Sequence, residues 1–227
     1  MTTVGLLRPE GHPEDDYRRI ETLLDGDIRV DPVVYGGPGA DPGVLAAGAE
    51  RLRLAGTDAV VWASAGESFA QGWEAARERA RSLALAAGIP ASSTAIGFAH
   101  AVRAVDAARV VVAGARAGEL AGAARFLGEA GIEVVGEWRA DGRLPLAELV
   151  RAADDPRADA VLVPDTAVPT AAEVPEAEAA VGKPVLTGTL VTVWEGLRLA
   201  ERHGAWADEL GALFVRRSPR DVWEPGE

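Results

Sequence analysis

Asp58-Ala-Val-Val-Trp-Ala-Ser64 and Asp159-Ala-Val-Leu-Val-Pro-Asp165 are the two stretches on which the fold turns. Each opens on Asp-Ala, continues through an apolar run of strand length, and arrives at a polar residue six positions on. A short apolar run bounded by turn residues reads as a parallel strand buried on both faces. The surroundings repeat as well. Each copy is followed by a helical stretch and then by Gly-x-Pro, as Gly88-Ile89-Pro90 and Gly182-Lys183-Pro184. A hydroxyl cluster comes next, Ser92-Ser93-Thr94 in one copy and Thr187-Gly188-Thr189 in the other. Upstream, Thr3-Val-Gly-Leu-Leu7 has its counterpart in Arg109-Val-Val-Val-Ala113. Matching elements in matching order imply a duplicated α/β unit.

Working outward gives strands at Thr3–Leu7, Ile28–Tyr35, Ala59–Trp62, Arg109–Ala113, Ile132–Glu137, Ala160–Val163 and Pro184–Leu186. Alanine-rich amphipathic helices lie between them, for example over Ser68–Ala87, Ala117–Ala130 and Ala171–Val181. Strands alternating with helices predict βαβ units and parallel sheets covered on both sides. The expected fold is therefore α/β, with two similar Rossmann-like halves related by a pseudo-twofold and the site between them. Residues 1–93 with 190–227 form the first half and 94–189 the second. Ligands of open parallel sheets sit beyond the carboxyl ends of the strands. Ser64 and Asp165 occupy that place in their halves, so the repeat aims both at one cleft.

Bulk properties narrow the function. With 227 residues, 48% hydrophobic and 26% charged, the chain has enough apolar content to fold around a core. A formal net charge of −12 disfavours nucleic acid and anionic membrane as partners, since both are bound mainly through Lys and Arg. The absence of cysteine excludes disulfides, thiolate metal sites and thiol nucleophiles. Three histidines without ligand spacing (His12, His100, His203) argue against a metal site. Nothing near Met1–Leu7 reads as a signal peptide, and no apolar run approaches the roughly 18 residues of a membrane span, so a cytoplasmic location is expected.

The segment Trp62-Ala-Ser-Ala-Gly-Glu-Ser-Phe69 with Gly72 resembles the Cys-Thr-Ser-x-Ser-Phe segment of the aspartate/glutamate racemase superfamily. The resemblance is to the branch of maleate cis-trans isomerases and arylmalonate decarboxylases. Val163-Pro-Asp165-Thr166 falls where that family has Ser-Cys-Thr or Ser-Cys-Gly. Gly182-Lys-Pro-Val185, Thr192-Val-Trp194 and Leu197-Arg-Leu199 follow its closing segment, so the likeness runs from Val4 to about Phe214. It implies a cofactor-independent enzyme that moves protons or attacks carbon beside a substrate carboxylate, as the family does with one or two cysteines. Both cysteine positions are replaced here, by Ser64 and Asp165. Serine without an adjacent base is a poor general base, which makes two-base racemisation doubtful.

Asp165 stands at the position the family's decarboxylases retain, which favours chemistry with a single acid/base group. Desolvation between two halves is expected to raise its pKa toward neutrality. Its structural alternative is a helix N-cap. Ser64 has three readings: an oxyanion site formed with the amides of Ala65 and Gly66, an activated nucleophile, or a cap of the helix opening near Ser68. His12, in Arg8-Pro-Glu-Gly-His12, falls where the family holds a substrate carboxylate with asparagine; it can serve as anion ligand or acid/base, or be a loop residue. Arg116 opens a helix where the closest relatives have a substrate-facing tyrosine, and it can clamp a carboxylate or lie on the surface. Thr94, Thr166, Thr187 and Thr189 sit at strand ends as hydroxyl contacts or ordinary caps.

Several signals lead nowhere. Gly114-Ala-Arg-Ala-Gly118 lacks the dinucleotide-loop spacing, and no Walker A lysine motif occurs. Glu173, Glu176 and Glu178 read as a solvated helix face, the loop after Tyr35 as a connection at the cleft edge, and Arg216-Arg217 as part of a frayed tail. Trp62 and Trp194 near the cleft favour a flat or bulky apolar substrate. The expectation is a lyase or isomerase acting beside a carboxylate or carbonyl, with Asp165, Ser64 and His12 doing the chemistry and no cofactor or metal. Its partner would be a small carboxylate or carbonyl compound, and the resemblance adds a possible homo-oligomer. The competing expectations are a non-catalytic binder of a small acid and a Ser64-dependent hydrolase.

Overall fold

The computed structural model describes residues 1–11, 14–36, 41–202 and 205–215. The first sheet is built from β1 (Thr2–Pro9), β2 (Ile28–Tyr35), β3 (Ala59–Trp62) and β4 (Ala91–Ser93). Its helices are α1 (Glu14–Leu23), α2 (Pro42–Leu54), α3 (Ala65–Ala70) and α4 (Trp73–Ala87). After α5 (Thr94–Ala104) the second sheet follows, with β5 (Arg109–Gly114), β6 (Glu133–Arg139), β7 (Ala160–Val163) and β8 (Val185–Thr187). Its helices are α6 (Ala117–Glu129), α7 (Leu146–Ala153) and α8 (Val174–Val181), and α9 (Gly188–Leu199) closes the unit. The strand orders are β2-β1-β3-β4 and β6-β5-β7-β8, the same arrangement twice, and every pairing is parallel.

The sequence repeat has a hydrogen-bonding reason. The Asp58 carboxylate accepts the Thr3 amide at 2.8 Å, and that of Asp159 accepts the Arg109 amide at 2.9 Å. Each aspartate thus anchors the first residues of the strand beside its own. Gly88 and Gly182 both end their helices in the left-handed region, at φ 67° and 65°, where a β-carbon would be strained. The carbonyls of the following prolines, Pro90 and Pro184, then accept the amides of Val60 and Val161 and so set the register of the third strand in each sheet. Asp-Ala, Gly and Pro are therefore the joints of the unit.

β3 and β7 are buried along their whole length, as expected for inner strands of a sheet covered on both faces. Most of the core is one continuous cluster that includes residues of both sheets, with a smaller one under α2 around Leu45, Leu52 and Trp62. An aromatic group ties the halves together. The rings of Phe69 and Phe126 meet edge to face at 5.2 Å, and Trp73 meets Phe126 at 5.3 Å; each such pair adds about 1 kcal/mol beyond its burial. The last helix, α9, packs on β1, β3 and β4 and on α5. It fits because Gly196 has no side chain there; a β-carbon would collide with Val4.

The strands lie where the sequence predicts them to within two residues, apart from β4, which had been read as a hydroxyl cluster. Three expectations are corrected. The helix expected over Ser68–Ala87 is two helices, broken at Gly72, whose φ of 79° is incompatible with helix. The helix expected from Ala171 begins at Val174. Glu173 and Glu178 do not form a solvated face: they accept the amides of Leu146, Val185 and Ala212. Among the described residues no helix is long and apolar enough to cross a membrane.

Candidate active site

The carboxyl ends of the two sheets meet. Buried Asp16, on α1 of the first half, accepts the Thr170 amide at 2.7 Å and the Thr189 hydroxyl at 2.9 Å, both from the second half. On the other flank α3 packs against α6, so closely that a β-carbon on Gly66 would lie 2.9 Å from a Glu119 carboxyl oxygen. The turns after β3 and β7 carry Ser64 and Asp165.

In the first half, β1 and β2 end together, with Pro9 opposite Tyr35, and β3 delivers Ser64 to the N-cap position of α3. The Ser64 hydroxyl makes no capping bond; it lies beside the Tyr35 hydroxyl and favours its ionisation. Tyr35 also accepts the indole N–H of Trp62 at 2.9 Å. Burial pushes the Tyr35 phenol up to about 12; the bonds from Trp62 and Ser64 oppose this and the Glu67 charge adds to it. Neither hydroxyl is therefore a base near neutrality. Both are oriented donors. The amides of Ala65 and Gly66 open α3 beside them, among those a helix N-terminus leaves without intrahelical partners.

In the second half, Arg116 occupies the N-cap of α6 and its guanidinium lies between two carboxylates. Nε is 3.0 Å from Glu119 and a terminal nitrogen is 4.0 Å from Asp165. Burial raises the Glu119 carboxyl above its ordinary value; Arg116 opposes the shift and the negative charge of Asp165 reinforces it. Asp165 is about one quarter exposed, and one carboxyl oxygen accepts the Ala167 amide at 2.8 Å. It closes an Asx turn rather than capping a helix, since α8 starts only at Val174. The other oxygen faces Arg116. The contacts thus run from Tyr35 through Ser64 and α3 to Glu119, Arg116 and Asp165.

The threonines are more structural than the sequence implied. Thr94 is fully buried and bonded to Thr192 at 2.7 Å across the α5–α9 contact. Thr187 and Thr189 are also fully buried, and Thr170 reaches both, at 2.9 and 3.1 Å. With Asp16 they pin the loop that carries Asp165, because buried hydroxyls take partners from the protein. Thr166 is buried in the same loop. His12 lies outside the described residues. Arg8, four residues before it, is buried at the end of β1 and bonds Glu14 at 2.7 Å.

Sequence reasoning passed over Tyr35, Glu119 and Asp16. Tyr35 looked like the end of a strand and Glu119 like a first-turn glutamate on a helix surface. The only available signal was position: Tyr35 ends β2, while Asp16 and Glu119 follow the ends of β1 and β5 by a few residues.

Two repeated parallel sheets, with serine and carboxylate at the equivalent turns, define a duplicated α/β protein of Rossmann-like halves. The arylmalonate decarboxylase family profile matches residues 43–214, and the chain belongs to that family. Membership places it in a family described by its decarboxylase. No curated protein is matched by sequence comparison. Solved structures are matched closely in shape. A crystal structure of arylmalonate decarboxylase superposes with a TM-score of 0.81 at 23% identity, covering 93% of this chain and 98% of that one. The maleate isomerase of Pseudomonas putida S16, crystallised with maleate, gives 0.80 at 18%, covering 94% and 97%. A cysteine variant of Nocardia farcinica maleate cis-trans isomerase, bearing a covalent succinylcysteine intermediate, gives 0.78 at 20%, covering 96% and 99%.

Proposed function

We propose that this protein is a cofactor-independent lyase or isomerase that transfers a proton beside a carboxylate or carbonyl of a small organic acid. The observation that carries the reading is Arg116 shared between Asp165 and Glu119, opposite the N-terminus of α3 and the Ser64 hydroxyl. A substrate carboxylate takes a place on the Arg116 guanidinium. The oxygen that becomes an enolate lies toward the Ser64 hydroxyl and the amides of Ala65 and Gly66, where oriented donors stabilise developing charge. Asp165 is the acid/base. In a decarboxylation the bond to the departing carboxylate breaks, carbon dioxide leaves, and its electron pair passes to the enolate. Protonated Asp165 then gives its proton to carbon and recovers one from water. Glu119, whose carboxyl burial raises, is the adjacent proton reserve.

One arrangement speaks against two of the other readings, and one favours the third. A Ser64-dependent hydrolase needs a base beside Ser64, and among the described residues the group beside that hydroxyl is a phenol that keeps its proton to about 12. Racemisation by two bases meets the same obstacle. The non-catalytic reading draws on the Asx turn, which gives Asp165 a structural task of its own.

The test is incubation with an arylmalonate and, separately, with maleate in deuterium oxide, following products by NMR. The expected result is turnover of one of them; a decarboxylated product then carries deuterium at the new C–H bond. Asp165→Asn should abolish most of that turnover. Binding without chemical change over hours supports the non-catalytic reading. Full turnover in both Asp165→Asn and Ser64→Ala overturns the mechanism.

A further inference from the structure

Two buried polar atoms at the carboxyl end of the first sheet have no hydrogen-bond partner among the described residues: Nε of Arg8 and the hydroxyl of Tyr17. Both residues are all but closed to solvent, at 4% exposure each. Arg8 lies near the end of β1, an inner strand. Leu7 pairs with Trp62, two residues before Ser64, so Arg8 stands level with the start of that turn. Alternate residues of a strand share a face. Val4 meets α9 at Gly196, and Arg8, four residues on, is therefore turned to the α9 side as well. Tyr17 comes from α1, next to Asp16, whose carboxylate crosses to Thr170, Ala171 and Thr189 of the second half. The two donors thus sit beside the contact between α1 and the loop that carries Asp165.

The two side chains lie within each other's field. Burial raises the Tyr17 phenol far above its ordinary value; the Arg8 charge opposes the shift and the Asp16 charge adds to it. The phenol therefore keeps its proton throughout the range in which carboxylates are ionised. A guanidinium has five N–H donors. One terminal nitrogen of Arg8 bonds Glu14 at 2.7 Å, but the Glu14 side chain is 59% exposed, where water screens its charge. That bond leaves Nε unmatched. A phenol oxygen can accept from a guanidinium, yet Tyr17 does not take Nε. Buried polar groups are nearly always hydrogen-bonded, and a shielded donor without an acceptor bears its full desolvation cost. Two such donors, one of them on a cation, are matched best by one anionic oxygen shared between them.

We infer that Arg8 and Tyr17 determine specificity: together they donate to a second acidic group of the substrate, so that small acids with two anionic groups are selected over those with one. The inference rests on the reading of the cleft as a site for a small organic acid, with Arg116 taking the first carboxylate. Both donors are shielded in this structure, so binding requires α1 to shift at its first turn, where Glu14 ties it to Arg8.

The experiment is calorimetric titration of the intact protein with succinate and, in parallel, with butyrate, near neutral pH and at constant ionic strength. Wild type should bind succinate about tenfold or more tightly than butyrate, the worth of a hydrogen bond to a charged group. R8Q should remove that preference, losing about tenfold for succinate and less than about twofold for butyrate. Y17F should lose about two- to fivefold for succinate alone. E14Q, which removes the ion pair and keeps both donors, should bind succinate at least as tightly as wild type. Retained cooperative unfolding shows that R8Q is folded; if it does not fold, Y17F, which deletes only the hydroxyl, decides. Succinate affinity left unchanged by R8Q and Y17F overturns the inference, as does a wild type without saturable succinate binding. Equal losses for both probes in R8Q, or a loss in E14Q as large as that in R8Q, assign Arg8 to holding α1 and overturn it too. A preference for succinate without turnover of an arylmalonate or maleate removes the catalytic reading and keeps this one. Turnover without the preference removes this one alone.

Discussion

The turn after β3 and the turn after β7 begin from nearly the same sequence and end in different structures. After β3 the chain passes at once into α3, and Ser64 is 6% exposed with its hydroxyl on Tyr35. After β7 ten residues intervene before α8, and Asp165 stands about one quarter exposed, held by Ala167 and faced by Arg116. The first turn offers fixed donors of low acidity. The second offers a carboxyl beside a cation and a neighbouring carboxyl. Duplication supplied two equivalent positions, and local contacts made one a fixed donor and the other a candidate proton carrier.

The comparison can be broken most directly at those positions. Asp165→Asn should lower kcat/KM by about 10² to 10⁴, the usual worth of an acid/base group. Ser64→Ala should cost about tenfold in kcat/KM. Equal losses would remove the asymmetry, and steady-state kinetics on the substrate that is turned over decides it. Next in size is the α5–α9 helix pair. Glu195→Gln removes the buried carboxylate that His100 and Arg198 share and should cost about 3 kcal/mol in urea unfolding. Because the Glu195 carboxyl titrates at about 2 in the folded protein and near 4.5 unfolded, its stabilisation is complete above pH 4.5. It falls away as the pH drops toward 2, and the variant should lack that part of the acid sensitivity.

Smaller effects sharpen the contrast. A β-carbon at Gly188 would lie 2.7 Å from the Asp165 carbonyl oxygen. Gly188→Ala should therefore lower kcat about tenfold by displacing Asp165, at a stability cost of about 1–2 kcal/mol. The matching position in the first half is Thr94, and Ser93 just before it accepts the Ile96 amide as a helix cap. Ser93→Ala should cost about 1 kcal/mol in thermal unfolding and leave turnover unchanged. Last, if Glu119 resupplies the proton, kcat should decline as pH rises through its raised pKa. Glu119→Gln should flatten that alkaline limb, with a fewfold loss at neutral pH.

The repeat was legible because its joints are local. Asp58 and Asp159 bind the strand beside their own, and the two glycines require a backbone that other residues resist; such demands leave one residue type at one spacing. Gly72 carried the same kind of signal and was taken for part of a helix. The candidate site was legible only at the turns. Tyr35 reaches Ser64 from a strand two places away in the sheet, and Glu119 reaches Gly66 across the two halves. Neither contact leaves a pattern in the chain.

What the sequence determined by itself was the unit and its copy number: strand period, helix stops and anchoring aspartates all act within a few residues or one neighbouring strand. It also determined that the family's thiol chemistry is unavailable, since there is no cysteine to perform it. Only the tertiary structure decided which groups share the space between the copies. Arg116 stands between Asp165 and Glu119, Tyr35 holds Ser64, and the threonines pin a loop instead of lining it. The reason is that hydrogen bonding and desolvation depend on distances between segments far apart in sequence. Ser64 and Asp165 are equivalent along the chain and unlike in the fold.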